Sequence, residues 1–196
     1  MTWQEALKGY LGTLTWPDDS QKAKGLASVL VPLGWNPEAQ RDEILLTKRT
    51  TLVESHKGQV SFPGGFREVD DVDLLHTALR EAEEEVGIRT VDVEILGRLT
   101  PVLTHQEVLI YPWVGWMRFP YSFRVNQVEV EKILYLSVEQ LLKDGLSQVK
   151  APVGQLLVAS QGVFAEGELV WGATARILGE LRERLLPFHP SVSSEG

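Results

Sequence analysis

Residues 80–87, Arg-Glu-Ala-Glu-Glu-Glu-Val-Gly, constrain this chain more than any other stretch. They read as the end of a helix closed by Gly87, since glycine most readily takes the cap conformation past a last turn. At about 100° per residue, Glu84 and Glu85 fall about −60° and +40° from Glu81, so three carboxylates share one face. Leu75, Leu79, Ala82 and Val86 gather on a different side, the side a core takes. Like charges at this spacing cost an isolated helix roughly 0.2–0.5 kcal/mol per pair, so a positive partner is expected between them. Hard divalent cations favour carboxylate oxygens, and Mg²⁺ usually shares its shell with waters and substrate phosphates. A solvated Glu-rich surface is the alternative.

The surroundings favour a site. Upstream, Phe62-Pro63-Gly64-Gly65 combines a rigid turn with backbone free to take unusual dihedrals. Lys48, Arg49, His56, Lys57 and Arg67 fall in a stretch whose single acid is Glu54, whereas Glu68 to Glu85 is strongly acidic with Arg80 as its one Lys or Arg. A basic loop beside a metal-binding helix can grip phosphates from two sides, as guanidinium forks and metal ions both do. For Lys48 and Lys57 an ordinary surface role is an equal alternative.

Gly65 through Ile88 resembles the Nudix box, G-x5-E-x7-R-E-U-x-E-E-x-G-U with U apolar. The second half matches at Arg80, Glu81, Ala82, Glu84, Glu85, Gly87 and Ile88. The first half departs: the span from Gly65 to Arg80 is one residue longer, and Val72 stands where the early Glu would be counted back from Arg80. Asp70, Asp71 and Asp73 flank that gap. The same spacing is found in one branch, the coenzyme A pyrophosphatases. Leu45-Leu46-Thr47-Lys48-Arg49 and His56-Lys57-Gly58-Gln59-Val60-Ser61-Phe62-Pro63-Gly64-Gly65 resemble that branch's extra motif, L-L-T-x-R then H-x-G-Q-V-x-F-P-G-G. In the following G-G-x-x-D-x-x-D, Glu68 replaces the first acid and Asp71 matches the second; Thr50 follows the arginine where Ser or Ala is more usual.

The resemblance implies an α/β fold, the Nudix-type α/β/α sandwich with a mixed β-sheet between helices. It implies a small-molecule substrate, coenzyme A or a derivative, cut at its diphosphate to 3′,5′-ADP and 4′-phosphopantetheine or the acylated form. Mg²⁺ or Mn²⁺ would be held by Glu81 and Glu85, with Glu84 as third ligand or water orienter. Arg80 turns about 100° away from the other three and is assigned to fixing a glutamate through a bidentate pair. Arg49, His56, Lys57, Gln59 and Arg67 are the substrate-binding candidates, and Pro63, Gly64 and Gly65 form the structural turn. Glu129, in Asn126-Gln127-Val128-Glu129-Val130-Glu131, is the candidate for a further metal contact or catalytic base, with a charged strand-edge residue as the other reading. A Nudix pyrophosphatase for ADP-ribose or dinucleoside polyphosphates would need the same helix but not the Leu45 to Gln59 motif. A non-catalytic nucleotide sensor would not need the intact Arg80, Glu81, Glu84 and Glu85 set, and a structural metal-binding domain would show no turnover.

Composition narrows the class. The 196 residues suit one domain, taken as 1–190 with 191–196 as a loose tail. Hydrophobic residues make up 43% and charged residues 23%, ordinary for a globular chain. The absence of cysteine excludes disulfide and thiolate chemistry. A net charge of −8 argues against nucleic acid as a partner. No apolar run approaches the roughly 20 residues of a membrane span. Met1-Thr2-Trp3-Gln4-Glu5 lacks the features of a signal peptide and the chain lacks a peroxisomal tripeptide, so the cytoplasm is expected.

Along the chain, helices are expected from Thr2-capped Trp3 to about Leu11, from about Asp71 to Val86, at Val138 to Leu142, and from Ala173 to Leu185. Trp16 to Ser20 is expected to break the first. Strands are expected at Ala27–Leu33, Glu43–Thr47, across Val91–Leu103, at Val108–Met117 and Lys132–Leu136, and as short pieces at Leu156–Val158, Val163–Phe164 and Leu169–Trp171. Trp171 reads as core at the start of the last helix, His76 as helix surface, His105 as a loop residue and His189 as tail. Trp113, Trp116 and Phe119 suit core, a pocket or a homodimer face, and core is expected.

Overall fold

The structure, a computed structural model, describes residues 2–15, 23–51 and 57–190. Among them eight strands form one mixed sheet: β1 (Gly25–Asn36), β2 (Arg41–Arg49), β3 (Val60–Ser61), β4 (Gly64–Phe66), β5 (Glu94–Arg98), β6 (Val102–Leu103), β7 (Val108–Arg118) and β8 (Val130–Ser137). β1 lies at the centre. It runs parallel to β7 along its whole length, from Gly25↔Val108 to Trp35↔Arg118. Its other edge is shared, antiparallel, by β4 at Ala27–Val29 and by β2 from Leu33 onward. Between those two stretches the Leu30 N–H donates to the Pro63 carbonyl at 2.9 Å. β2 in turn carries β8 and β3.

Alternation along the strands sorts side chains to two faces, as the pleat requires. On β1, Val31 and Leu33 enter one core while Leu30 enters the other; on β2, Ile44 and Leu46 oppose Leu45. Helix α2 (Leu74–Val86) covers the second face through Ala78, Leu79, Ala82 and Val86. The first face is covered by α1 (Trp3–Leu11), α3 (Val138–Asp144) and α4 (Gly172–Leu185). The expected α/β/α sandwich is what forms. No helix of the described residues is long and apolar enough to cross a membrane.

Several boundaries differ from the sequence reading. α2 begins at Leu74 rather than near Asp71, because Asp73 is its N-cap and accepts from the His76 N–H at 2.8 Å. The stretch from Val91 to Leu103 is not one strand. A single 3₁₀ turn at Thr90–Asp92 precedes β5, and Pro101, with no N–H to donate, separates β5 from β6. The pieces expected between Leu156 and Phe164 are one strand, β10 (Leu156–Ala165). It lies between β11 (Glu168–Trp171) and a strand the pattern had hidden, β9 (Ser147–Val153), in a separate antiparallel sheet. Gln148, Lys150 and Pro152 deprive β9 of an apolar signature. His189 is no tail residue: it is buried against Asp42, Nε2 to Oδ2 at 3.0 Å. Trp16–Ser20 and residues 191–196 lie outside the described residues.

Candidate functional site

The turn Pro63-Gly64-Gly65 places the backbone of β4 directly beneath α2. Gly64 has φ +155°, and a Cβ there would lie 2.3 Å from the Ser28 carbonyl oxygen. A Cβ on Gly65 would lie 2.5 Å from Cδ of Glu81. Glycine is therefore required at Gly64 by conformation and a backbone wall, while at Gly65 its missing Cβ leaves room for the Glu81 carboxylate.

Over this turn sits Glu85, buried despite its charge. Its Oε2 accepts from the Gly64 N–H at 3.2 Å and its Oε1 from Arg49 Nη1 at 3.4 Å. Burial pushes its carboxyl up to about 8. Arg49 and the Gly64 amide oppose that rise, while the charges of Glu81 and Glu129 add to it. Glu81 is raised for the same leading reason, burial, with Arg80 opposing and Glu84 and Glu129 reinforcing. Glu81, Glu85 and Glu129 are thus mutually felt charges around one small region. Glu129 is held there from two sides: Asn126 Nδ2 donates to its Oε1 at 3.2 Å, and its own carbonyl accepts the Thr50 N–H at 2.9 Å. The loop carrying it is pinned to the end of α2, where the Arg124 and Asn126 amides donate to the Val86 and Glu85 carbonyls at 3.0 and 2.8 Å.

Arg80 corrects the sequence reading. Its bidentate partner is not a glutamate but Asp71, with Nε to Oδ1 at 3.0 Å and Nη2 to Oδ2 at 3.1 Å. Its remaining nitrogen, Nη1, reaches Glu81 at 3.0 Å and Glu84 at 3.2 Å, so it also supplies positive charge between two of the carboxylates. Asp71 is fully enclosed, accepting further from Thr77 Oγ1 at 2.9 Å and the Glu68 N–H at 2.8 Å, with the His76 ring at 2.9 Å. The Arg80 guanidinium, ahead of those other donors, holds its carboxyl well below the usual range. Val72 points to solvent. Counted forward from Gly65 instead of back from Arg80, five residues intervene before Asp71, which is the signal that would have found it.

The remaining candidates divide. Gln59 stands at the site's edge, its carbonyl accepting the Arg49 N–H at 2.9 Å. Arg67 is exposed, donating to the Asp71 carbonyl at 3.3 Å, and Lys57 is exposed in a turn. His56 lies outside the described residues. Lys48 takes the ordinary surface role, paired with Glu168 at 3.0 Å and Glu131 at 3.2 Å. Glu84 is largely exposed on the outer side of α2. His76, expected on the helix surface, is half exposed yet contributes to the Asp71 cage.

Among the described residues no three acidic or histidine side chains already close on one point. The donor set nevertheless fits a hard divalent cation. Glu85, buried, and Glu81, partly buried, offer carboxylate oxygens whose ionised form is disfavoured where they stand, and an added positive charge would relieve that. Arg49 Nε is buried and has no hydrogen-bond partner, so one donor on this side chain remains to be satisfied.

An acidic helix laid over a glycine turn at the edge of a mixed sheet, within an α/β/α sandwich, defines the class. The NUDIX domain family profile matches residues 27–157, and the chain belongs to the Nudix family. It is 35% identical over 166 residues to the uncharacterized Nudix hydrolase NudL of Photorhabdus laumondii, covering 81% of this chain and 84% of that protein. Its likeness to a Yersinia pestis NudL is 34%, covering 81% and 79%. Among solved structures, a MutT/nudix family protein from Enterococcus faecalis has a TM-score of 0.57 at 15% identity, covering 98% of this chain and 73% of that one. The NUDIX domain of Shewanella oneidensis NrtR, crystallised with ADP ribose, has a TM-score of 0.53 at 17% identity, covering 90% and 97%. Both share the fold. Nudix hydrolases generally use divalent cations such as Mg²⁺ or Mn²⁺.

Proposed function

We propose that this Nudix protein hydrolyses the diphosphate bond of coenzyme A or its derivatives, in the cytoplasm, to 3′,5′-ADP and 4′-phosphopantetheine or its acylated form. The observation that carries the reading is the meeting of Arg49 with Glu85 over Gly64. It joins the Leu45–Gly65 motif to the acidic helix in one site, and that motif is the part a general diphosphatase would not need.

Glu81 and Glu85 would hold the cations, with Glu84 as third ligand or water orienter. When bound, the ions neutralise diphosphate charge and acidify a water. Water adds to one phosphorus, the bridging P–O bond breaks, and two phosphate monoesters leave. Glu129, steadied by Asn126, takes the proton released by the water. Arg80 is a positioning residue: anchored on Asp71, it fixes the rotamers of Glu81 and Glu84. Arg49, Lys57, Gln59, Arg67 and His56 contact the substrate phosphates.

The test is incubation with coenzyme A, ADP-ribose and a dinucleoside polyphosphate in separate reactions with Mg²⁺ or Mn²⁺, products separated by chromatography. Metal-dependent 3′,5′-ADP from coenzyme A alone is the expected result. Cleavage of ADP-ribose or the dinucleoside polyphosphate instead would keep the chemistry and overturn the substrate. No cleavage of any would favour a sensor.

A further inference from the structure

A large cleft lies beyond the C-terminal end of α2, away from the Gly64 turn. It is an open groove of about 1180 Å³, roomy enough for a small molecule. The end of α2 lines it with Glu83 and Glu84, and the end of β7 and the segment after it contribute Arg118, Tyr121 and Arg124.

Its charges are mostly spoken for. Glu94 is taken by Lys8 at 2.7 Å, and Asp92 by Arg89 at 2.7 and 3.0 Å. Glu84 is taken by Arg80. The guanidinium groups of Arg118 and Arg124 have no ion-pair partner among the described residues, and one unpaired acid, Glu83, stands with them. Two uncommitted arginines on one concave surface are notable in a chain of net charge −8.

The cleft also has a fixed aromatic wall. The Tyr121 hydroxyl donates to Asp92 Oδ2 at 2.7 Å and accepts the Arg89 N–H at 3.2 Å, and its ring packs on Phe123 with centroids 5.1 Å apart. A ring immobilised in this way offers a stacking surface at little further entropic cost. Arg118 and Arg124 offer the forked donors that phosphate oxygens match.

We propose that this cleft binds a phosphate monoester carried on a flat aromatic base, the chemistry of a nucleoside monophosphate. The phosphate is gripped by Arg118 and Arg124 and the base lies on Tyr121. Two sources share that chemistry, a free nucleotide and the far end of a nucleotide substrate extending past Glu84.

The probe is adenosine 5′-monophosphate, titrated calorimetrically into the full chain in EDTA so that binding is measured apart from hydrolysis. Saturable binding is expected, weaker for adenosine or inorganic phosphate alone. The Arg118→Ala/Arg124→Ala variant should lose at least about tenfold in affinity, as removal of charged hydrogen bonds predicts, while Glu85→Gln keeps it. Both arginines are exposed, and circular dichroism checks the variant's fold. Absent binding to the natural chain, or unchanged affinity in the double variant, overturns the proposal whatever becomes of the coenzyme A reading. With affinity lost, a raised KM for the cleaved diphosphate assigns the phosphate to the substrate, and an unchanged KM assigns it to a separate nucleotide.

Discussion

Arg80 grips Asp71 with two parallel hydrogen bonds, at 3.0 and 3.1 Å, while its third nitrogen reaches Glu81 and Glu84. One guanidinium therefore ties the acidic helix to the loop before it and restrains two of the proposed metal-site carboxylates. Lysine, a point charge without the fork, cannot make both attachments.

Replacing Asp71 by Asn should destabilise the fold by about 3 kcal/mol, the lower end for breaking a buried pair, because Arg80 keeps Glu81 and Glu84. The pH dependence has a definite sign. The Asp71 carboxyl is held below its ordinary value of 3.8, chiefly by Arg80. Its contribution is therefore fully present above that value and is lost as pH falls below about 4 toward the folded pKa. Urea denaturation at pH 6 and pH 3 should show the natural chain losing more stability between the two than Asp71→Asn. Equal losses would remove the assignment.

Glu85→Gln should abolish nearly all turnover, at least about 100-fold, and leave the fold intact in EDTA. Burial already disfavours the ionised form of Glu85, which offsets the hydrogen bond, from Gly64 or Arg49, that is lost when an NH2 replaces one oxygen. Steady-state assay and melting in EDTA check both halves. Full activity would eliminate Glu85 as a metal ligand.

The two glycines separate stability from activity. Gly64→Ala drives a Cβ into the Ser28 carbonyl at 2.3 Å and the Val29 Cα at 2.6 Å, a wall that cannot move. It should cost about 3 kcal/mol, the upper end for overpacking. Gly65→Ala meets only the carboxylate end of Glu81, which can swing aside. It should melt near the natural temperature yet lose most turnover, because Glu81 is displaced. The reverse pattern would mean that the turn does not serve the carboxylate.

Chelation should leave the chain folded, though less stable than with metal, and should be decisive kinetically. EDTA should stop hydrolysis, and Mg²⁺ or Mn²⁺ should restore it. Metal at about 100 times its Kd should stabilise the fold by about 2.7 kcal/mol. Turnover that persists in EDTA would rule out cation-dependent chemistry.

What was legible in the sequence is what repeats or caps. The acidic helix, its Gly87 cap at φ 74° and the Thr2–Glu5 capping box each follow a local rule, and each forms. The strands expected at Ala27–Leu33 and Glu43–Thr47 form within β1 and β2, and Trp113, Trp116 and Phe119 pack into or against the cores as expected. What was not legible depends on partners distant in sequence. Asp71 becomes the Arg80 partner through the path of the loop, which a count back from Arg80 misplaces by one residue. β9 exists because β10 pairs with it, not because of its own side chains.

The C-terminal segment makes the same point and is open to test. Beyond Pro187 the sequence offers no periodicity, yet the Phe188 ring packs on Tyr10 with centroids 5.6 Å apart and the His189 ring on Trp3 at 5.0 Å. His189 Nε2 meets Asp42 Oδ2 at 3.0 Å, both side chains being buried, and Asp42 Oδ1 has no hydrogen-bond partner. Asp42 on β2 therefore relies on this histidine. Ending the chain after Pro187, or His189→Ala, should cost about 3–5 kcal/mol by leaving a buried carboxylate uncompensated. The double change Asp42→Leu/His189→Leu should cost less than His189→Ala alone, since it removes the polar groups together. Urea midpoints of the three variants decide. An unchanged midpoint in His189→Ala would show that the segment rests on the fold without holding it.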